Sequence, residues 1–269
     1  MMDKRDLGVF VVLGFLLMGL AVPLLRAAGQ ANAQQKGLED YLKSAKAVAV
    51  QKGAASGRGA PWIVSLNDGK SALRGIFKYV DQPRPSIIVM CYKYELAAYE
   101  LAKLLGLDIV PPVVEREIDK RKGSLQLFLE SCLSESDRRA KKIAPPDPKA
   151  FENALEELSI FENLTYCKRS LKDILIHKDT WRVCRVDFAE AFETIPELLP
   201  EAAIARCSRR LYRSLLDIRP LDVESKLKPY LNAQEIKALL GRMIIIIEKL
   251  RNSIKDKGES AVIFDLEIK

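Results

Sequence analysis

FENLTYCKRSLKDILIHKDTWRVCRVDFAEAF, residues 161–192, is the stretch whose reading decides the fold. Its first residues complete an amphipathic helical pattern, a polar loop follows, and two short apolar runs, ILI and WRVCRV, are separated by the turn-like HKDT. VDF closes the second run. The pattern predicts a hairpin with a carboxylate at each end: Asp173 enters the first strand and Asp187 leaves the second. Folding the hairpin brings both acids to the same end. Two carboxylates converging beside a loop can hold a divalent cation, and a cation can hold a polyphosphate.

The stretch resembles the catalytic and metal-binding segment of the atypical kinase superfamily, the branch of HipA-like, phosphoinositide-kinase-like and secreted kinases. Bacterial members look like N-[TV]-D-R-x-L-G-N-[IL]-L followed by a hairpin and W-x-x-x-x-I-D-x-x-x-A-F. Here the corresponding runs are YCKRSLKDILI and WRVCRVDFAEAF, in which Arg169, Leu171, Asp187 and Phe192 fit. The step from Lys168 to Asp173 is that of the kinase motif H-R-D-L-x-x-x-N. Lys168 stands where the resemblance implies the catalytic aspartate, Lys172 where it implies glycine, and Asp173 where it implies the metal-binding asparagine. Ala189 replaces the glycine of D-F-G. The register is kept while the general base is not.

Working outward, the resemblance implies two more residues. Lys78 lies in the apolar run GIFKYV, which is similar to the strand carrying the phosphate-binding lysine. Glu95 opens YKYELAAYELAKLLGL, similar to the family's E-[IL]-A-A-Y-x-L-x-x-L-L-G-L helix, and would pair with Lys78. On the residues alone, Lys78 reads equally as a solvated strand residue and Glu95 as a carboxylate favoured by a helix N-terminus. Leu96, Leu101, Leu104 and Leu105 recur at helical spacing and Gly106 suits the helix end.

The remaining chain supplies the scaffold for a bilobal α+β kinase-like fold. The segmentation expected is a signal peptide or membrane anchor over 1–33, a linker over 34–45 leading into a short helix, LEDYLKSA, a strand-rich small lobe with one helix over 46–130, and a mostly helical lobe over 131–269. KAVAV, WIVSL, ALRGIFKYV, DIVPPVVEREI and SLQLFLE read as strands, with Asp68-Gly69 marking a hairpin turn. The glycines at 53, 57 and 59 give a loop without G-x-G-x-x-G spacing. PKAFENALEELSIFENL reads as a buried helix that delivers the catalytic-type loop. Beyond Pro200 the chain reads as helical. Asn232 with Glu235 predicts a capped last helix ending at Gly258, and Met243 through Ile247, apolar all round, reads as buried between helices.

Composition narrows the chemistry. Across 269 residues, 48% apolar and 29% charged side chains are ordinary for a globular protein, and 43 basic against 36 acidic residues give +7, too diffuse to indicate nucleic acid. The densest basic run, residues 138–142, reads as a solvated linker. Leu7 to Leu25 carries no charge, and as a helix rising about 1.5 Å per residue it roughly matches a bilayer's hydrocarbon core. Lys4 and Arg5 precede it and Ala31-Asn32-Ala33 follows, so both a cleaved export signal and an inner-membrane anchor fit. Five cysteines without C-x-x-C spacing exclude a zinc ribbon and a thioredoxin-type site; Cys167 and Cys184 are the pair whose positions would allow a disulfide, against the reading of buried thiols. The single histidine, His177, excludes H-E-x-x-H chemistry, which needs two, and at a hairpin turn it reads as exposed rather than as the imidazole of a Ser-His-Asp or Cys-His site. No zinc, haem or flavin is expected.

Three functional readings remain open. In one, Lys78 and Glu95 form a clamp and Asp173 and Asp187 a metal site for ATP with Mg or Mn, but Lys168, as an ammonium, leaves the acceptor hydroxyl unactivated; the protein is then a pseudokinase-like module binding a nucleotide or an unknown protein partner. In another it is an active phosphotransferase in which Glu162, Asp179 or Glu190 replaces the base. A third possibility is a membrane-anchored α+β interaction domain with no nucleotide site.

Overall fold

A computed structural model describes residues 33–53, 60–200 and 204–266. The charge-free leader, and the glycine loop over 54–59, lie outside them. None of the described helices is long and apolar enough to cross a membrane.

Residues 33–44 form helix α1. The short helix expected at LEDYLKSA thus starts earlier, at residue 33, and it docks: Leu42 is fully buried and Ala45 nearly so, packed with Trp62, Val64, Leu66, Phe77 and Leu125. Strands β1 (Lys46–Gln51), β2 (Trp62–Asn67) and β3 (Ala72–Lys78) follow. β2 alternates buried with half-buried residues, the pattern of a sheet covered on one face. The β2–β3 turn needs Gly69, at φ 88°, and is held by the Asp68 carboxylate, which accepts from the backbone N–H groups of Lys70 and Ser71.

A short antiparallel pair, β4 (Asp81–Gln82) and β5 (Met90–Cys91), leads into helix α2 (Tyr92–Leu104). Strands β6 (Val113–Ile118) and β7 (Arg121–Leu127) complete an antiparallel five-stranded sheet in the order β1-β2-β3-β7-β6. β7 passes close to β3 because residue 123 is glycine: a Cβ there would collide with the Lys78 carbonyl oxygen and lie 2.8 Å from the Phe77 ring.

Past β8 (Cys132–Ser134) the basic run is not a loose linker. Its first half belongs to helix α3 (Glu135–Ala140), where the Arg138 and Arg139 guanidinium groups lie 2.6 and 2.7 Å from the fully buried Glu135 carboxylate, while Lys141 and Lys142 lie exposed in the turn that follows. Helix α4 (Pro148–Thr165) begins with the Asp147 side chain accepting from Ala150 N–H and proline in its first turn, and ends on Tyr166 in the left-handed region. The expected hairpin follows as β9 (Ile174–His177) and β10 (Val183–Arg185), which with β8 form a three-stranded sheet.

The last part is helical: β11 (Cys207–Ser208), α5 (Arg209–Asp217), α6 (Pro220–Leu227), α7 (Ala233–Lys257), α8 (Glu259–Val262) and β12 (Ile263–Phe264), β12 pairing in parallel with β11. The Asn232–Glu235 capping box forms, and Gly258 ends α7. Met243 and Ile246 are buried, but Ile244 is 57% exposed, so the apolar run is not enclosed all round. Leucines of α2 share one core with α4, the hairpin and α5–α7, so α2 belongs to both halves of the molecule. All five cysteines are free thiols, Cys167 and Cys184 among them.

Candidate active site

Lys78 ends β3, opposite Ser124 of β7. Its Nζ lies 2.6 Å from Glu95 Oε1, on the first turn of α2, and 2.6 Å from Asp187 Oδ1, just past β10. Glu95 is almost completely buried, and its Oε1 also accepts from the backbone N–H of Phe188 at 3.0 Å. Asp187 sits at φ 67°, a conformation an aspartate tolerates better than most residues. Three residues far apart in the chain therefore meet at one ammonium.

The electrostatics follow from burial and pairing. Burial alone would lower the Lys78 ammonium, but the Glu95 and Asp187 carboxylates outweigh it and hold the lysine above its ordinary value. Burial pushes the Glu95 carboxyl up, against the pull of Lys78. Asp187, also opposed by burial, is drawn below the usual carboxylate range by Lys78, with Arg185 adding to it.

Asp187 opens onto a cleft of about 510 Å³ that Asp173, Lys168 and Glu190 also line. The hairpin places both aspartates at this end: Arg185 pairs with Ile174, and Val186 N–H donates to the Asp173 carbonyl at 3.0 Å. Lys168, the residue at the implied base position, is exposed and faces the same cleft as both aspartates. Of the three acids read as substitutes for the base, only Glu190 lines it. Glu162 is buried and paired with Arg169 at 2.7 Å, and Asp179 lies on the hairpin turn.

Beneath the loop lies Arg185, 1% exposed. It donates to the carbonyls of Val186, Asp173 and Lys168, faces Asp173 Oδ2 at 3.5 Å, and ion-pairs with Glu162 Oε1 at 3.3 Å without forming a hydrogen bond there. Arg84 acts similarly from the other side of the cleft. It donates to the carbonyls of Glu190, Ala191 and Phe192 and to the Glu193 carboxylate, while Cys91 N–H donates to the Ala189 carbonyl. Arg242 of α7, held down to about 10 by burial, donates to the carbonyls of Leu164, Glu193 and Ile195. The sequence reading missed the roles of all three. For Arg185 a signal was present, since an arginine in the middle of VCRVD cannot be buried without partners.

Among the described residues no cluster of three or more metal-ligating side chains exists. Asp173 and Asp187 are hard oxygen donors on one cleft, which suits Mg²⁺ or Mn²⁺ if phosphate and water supply the other ligands.

No protein-family model matches the chain, and no curated protein matches it in sequence. Solved structures do. The structure of hydra Fam20 with sugar superposes with a TM-score of 0.62 at 17% identity, covering 85% of this chain and 91% of that one. The Helicobacter pylori proinflammatory kinase CtkA gives 0.47 at 8% identity, covering 81% and 97%; that score is too low to carry an argument. The chain has a kinase-like fold, with an antiparallel-sheet N-terminal part and a helical C-terminal part.

Proposed function

We propose that this protein is a kinase-fold module that binds a nucleotide and transfers phosphate poorly or not at all. The observation that carries the reading is the meeting of Lys78, Glu95 and Asp187 at one ammonium beside a cleft that Lys168, the residue the resemblance puts at the base position, also lines. Lys78, oriented by Glu95, would hold the phosphates, and Asp173 and Asp187 would hold the cation. A bound cation would neutralise charge on the phosphates. Lys168 adds a further positive charge to the cleft, which favours an anionic ligand and offers no acceptor for the hydroxyl proton.

A second reading is favoured by one observation. Glu190 lines the cleft with its own carbonyl fixed by Arg84, so an acid is available to act as base in an active phosphotransferase. ATP turnover separates the two. The first reading expects turnover at background in the native chain and a rise of about 10²-fold or more in Lys168→Asp, the usual contribution of a positioned base. Turnover in the native chain that disappears in Glu190→Gln establishes the second reading instead.

A further inference from the structure

The loop between β4 and β5 carries two isoleucines outward. Ile87 is fully exposed and Ile88 nearly half so, next to each other in sequence; the other exposed large aliphatics of the described residues, such as Val48, Leu221 and Ile244, have no exposed aliphatic neighbour in sequence. The loop is held in place at its base. Arg84 donates to the carbonyls of residues 190–192, and the Ser86 hydroxyl and N–H both donate to the Pro83 carbonyl. A fixed loop that keeps adjacent isoleucines in water presents a contact surface.

Beside it, on the mouth of the same cleft, runs Lys168-Arg169-Ser170-Leu171-Lys172. Arg169 is held by Glu162, while Lys168 and Lys172 are exposed and paired with no acid among the described residues. Of the acids that flank the isoleucine loop, Asp81 lies 2.8 Å from Lys93 and Glu193 lies 2.7 Å from Arg84. Glu190 is the acid left to set against the two lysines. The rim is thus apolar and basic.

The sequence indicates what this rim lies near. Leu7 to Leu25 is a charge-free run of bilayer length, and only residues 26–32 separate it from α1. Fully extended, those residues span about 24 Å at most. The helix adds no slack, because Leu42 is buried against the sheet and Gln35 faces Tyr99, in the middle of α2. Tyr99 is about 10 Å along the helix from Tyr92, which directly follows β5 and the isoleucine loop. A leader seated in a bilayer therefore keeps the domain against that bilayer, with the loop tip in reach of it.

We propose that the Ile87–Ile88 tip, with Lys168 and Lys172 beside it, docks on the surface of an anionic bilayer. The isoleucines enter the acyl boundary and the ammonium groups meet lipid phosphates, the two contacts by which proteins sit in a membrane interface. A protein partner would account for the isoleucines but not for their nearness to a bilayer-length segment. The docking does not rest on the nucleotide reading, since these side chains meet lipid whether or not the cleft is filled.

The test uses the full chain in lipid nanodiscs whose acyl chains are brominated near the headgroup. Ile87→Trp and Leu221→Trp, both at exposed positions, each add one indole to the native Trp62 and Trp181. In discs containing phosphatidylglycerol, bromine should quench the fluorescence added at residue 87 and leave that added at residue 221 unchanged. Lys168→Glu with Lys172→Glu should lower the ratio of docked to undocked chain at least about fivefold per lysine, the scale of one basic side chain at an anionic surface. No quenching at residue 87 overturns the proposal, as does equal quenching at residue 221. Quenching at residue 87 that neither phosphatidylcholine discs nor the lysine substitutions reduce also overturns it.

Discussion

Lys78 carries two carboxylates at once, and the consequence can be read in acid. Asp187 is held below the ordinary aspartate range, so it binds fewer protons in the folded chain than in the unfolded one. The stability it adds is present above about pH 4 and is lost as pH falls through the folded value. Its side chain is 53% exposed, so solvent screens part of the effect. Asp187→Asn should therefore flatten the dependence of melting temperature on pH from about pH 5 downward, while changing little between pH 6 and 8 in slope. Parallel curves for variant and native protein over the acid range would show that Asp187 titrates without linkage to folding. Glu95, pushed upward by burial and by the charge of Asp187, contributes with the opposite sign, and that opposing contribution shrinks in Asp187→Asn, which flattens the variant's curve further.

Among the elements, two arginines fix the segment that follows β10. Arg84 gathers the carbonyls of residues 190–192, and Arg242 those of Glu193 and Ile195 together with the end of α4. Arg242→Met leaves three carbonyls short of a donor, and urea denaturation should show a loss of about 3 kcal/mol, in the range for breaking a buried charged network. Arg84→Ala should leave the two cores intact and expose residues 186–196, so limited proteolysis should cut there faster than in the native chain. The capping box of α7 is a smaller and separate effect: Asn232→Ala should cost about 1 kcal/mol by the same denaturation measurement.

These elements also show what sequence reading reaches. The hairpin, α2, α4 and the capped α7 were legible because each is written in local pattern: alternation, a 3.6-residue period, or a cap followed by glutamate. Lys78, Glu95 and Asp187 meet as the family resemblance implied, and Asp173 lines the cleft beside Asp187. Arg84 and Arg242 were not legible, because their partners are carbonyls 47 to 108 positions away and nothing local marks them; Arg185 carried only the signal of a charge inside an apolar run. The docking of α1 escaped for a similar reason. Its buried face is completed only by the sheet that forms after it.

On the scale of the whole molecule, α2 is the joint. One face supplies Glu95 to Lys78, and the other carries leucines into the core shared with α4 to α7. Tyr94 donates to the buried Glu235 at the start of α7, and Lys226 of α6 lies 2.9 Å from Glu100. A ligand bridging Lys78 and the hairpin would therefore stabilise both halves together. Isothermal titration of the chain from Gln34 onward with ATP and Mn²⁺, alongside Lys78→Ala, tests this most directly. Saturable binding to the native chain that Lys78→Ala abolishes is the predicted result; no binding by the native chain, or equal binding by both, would contradict it.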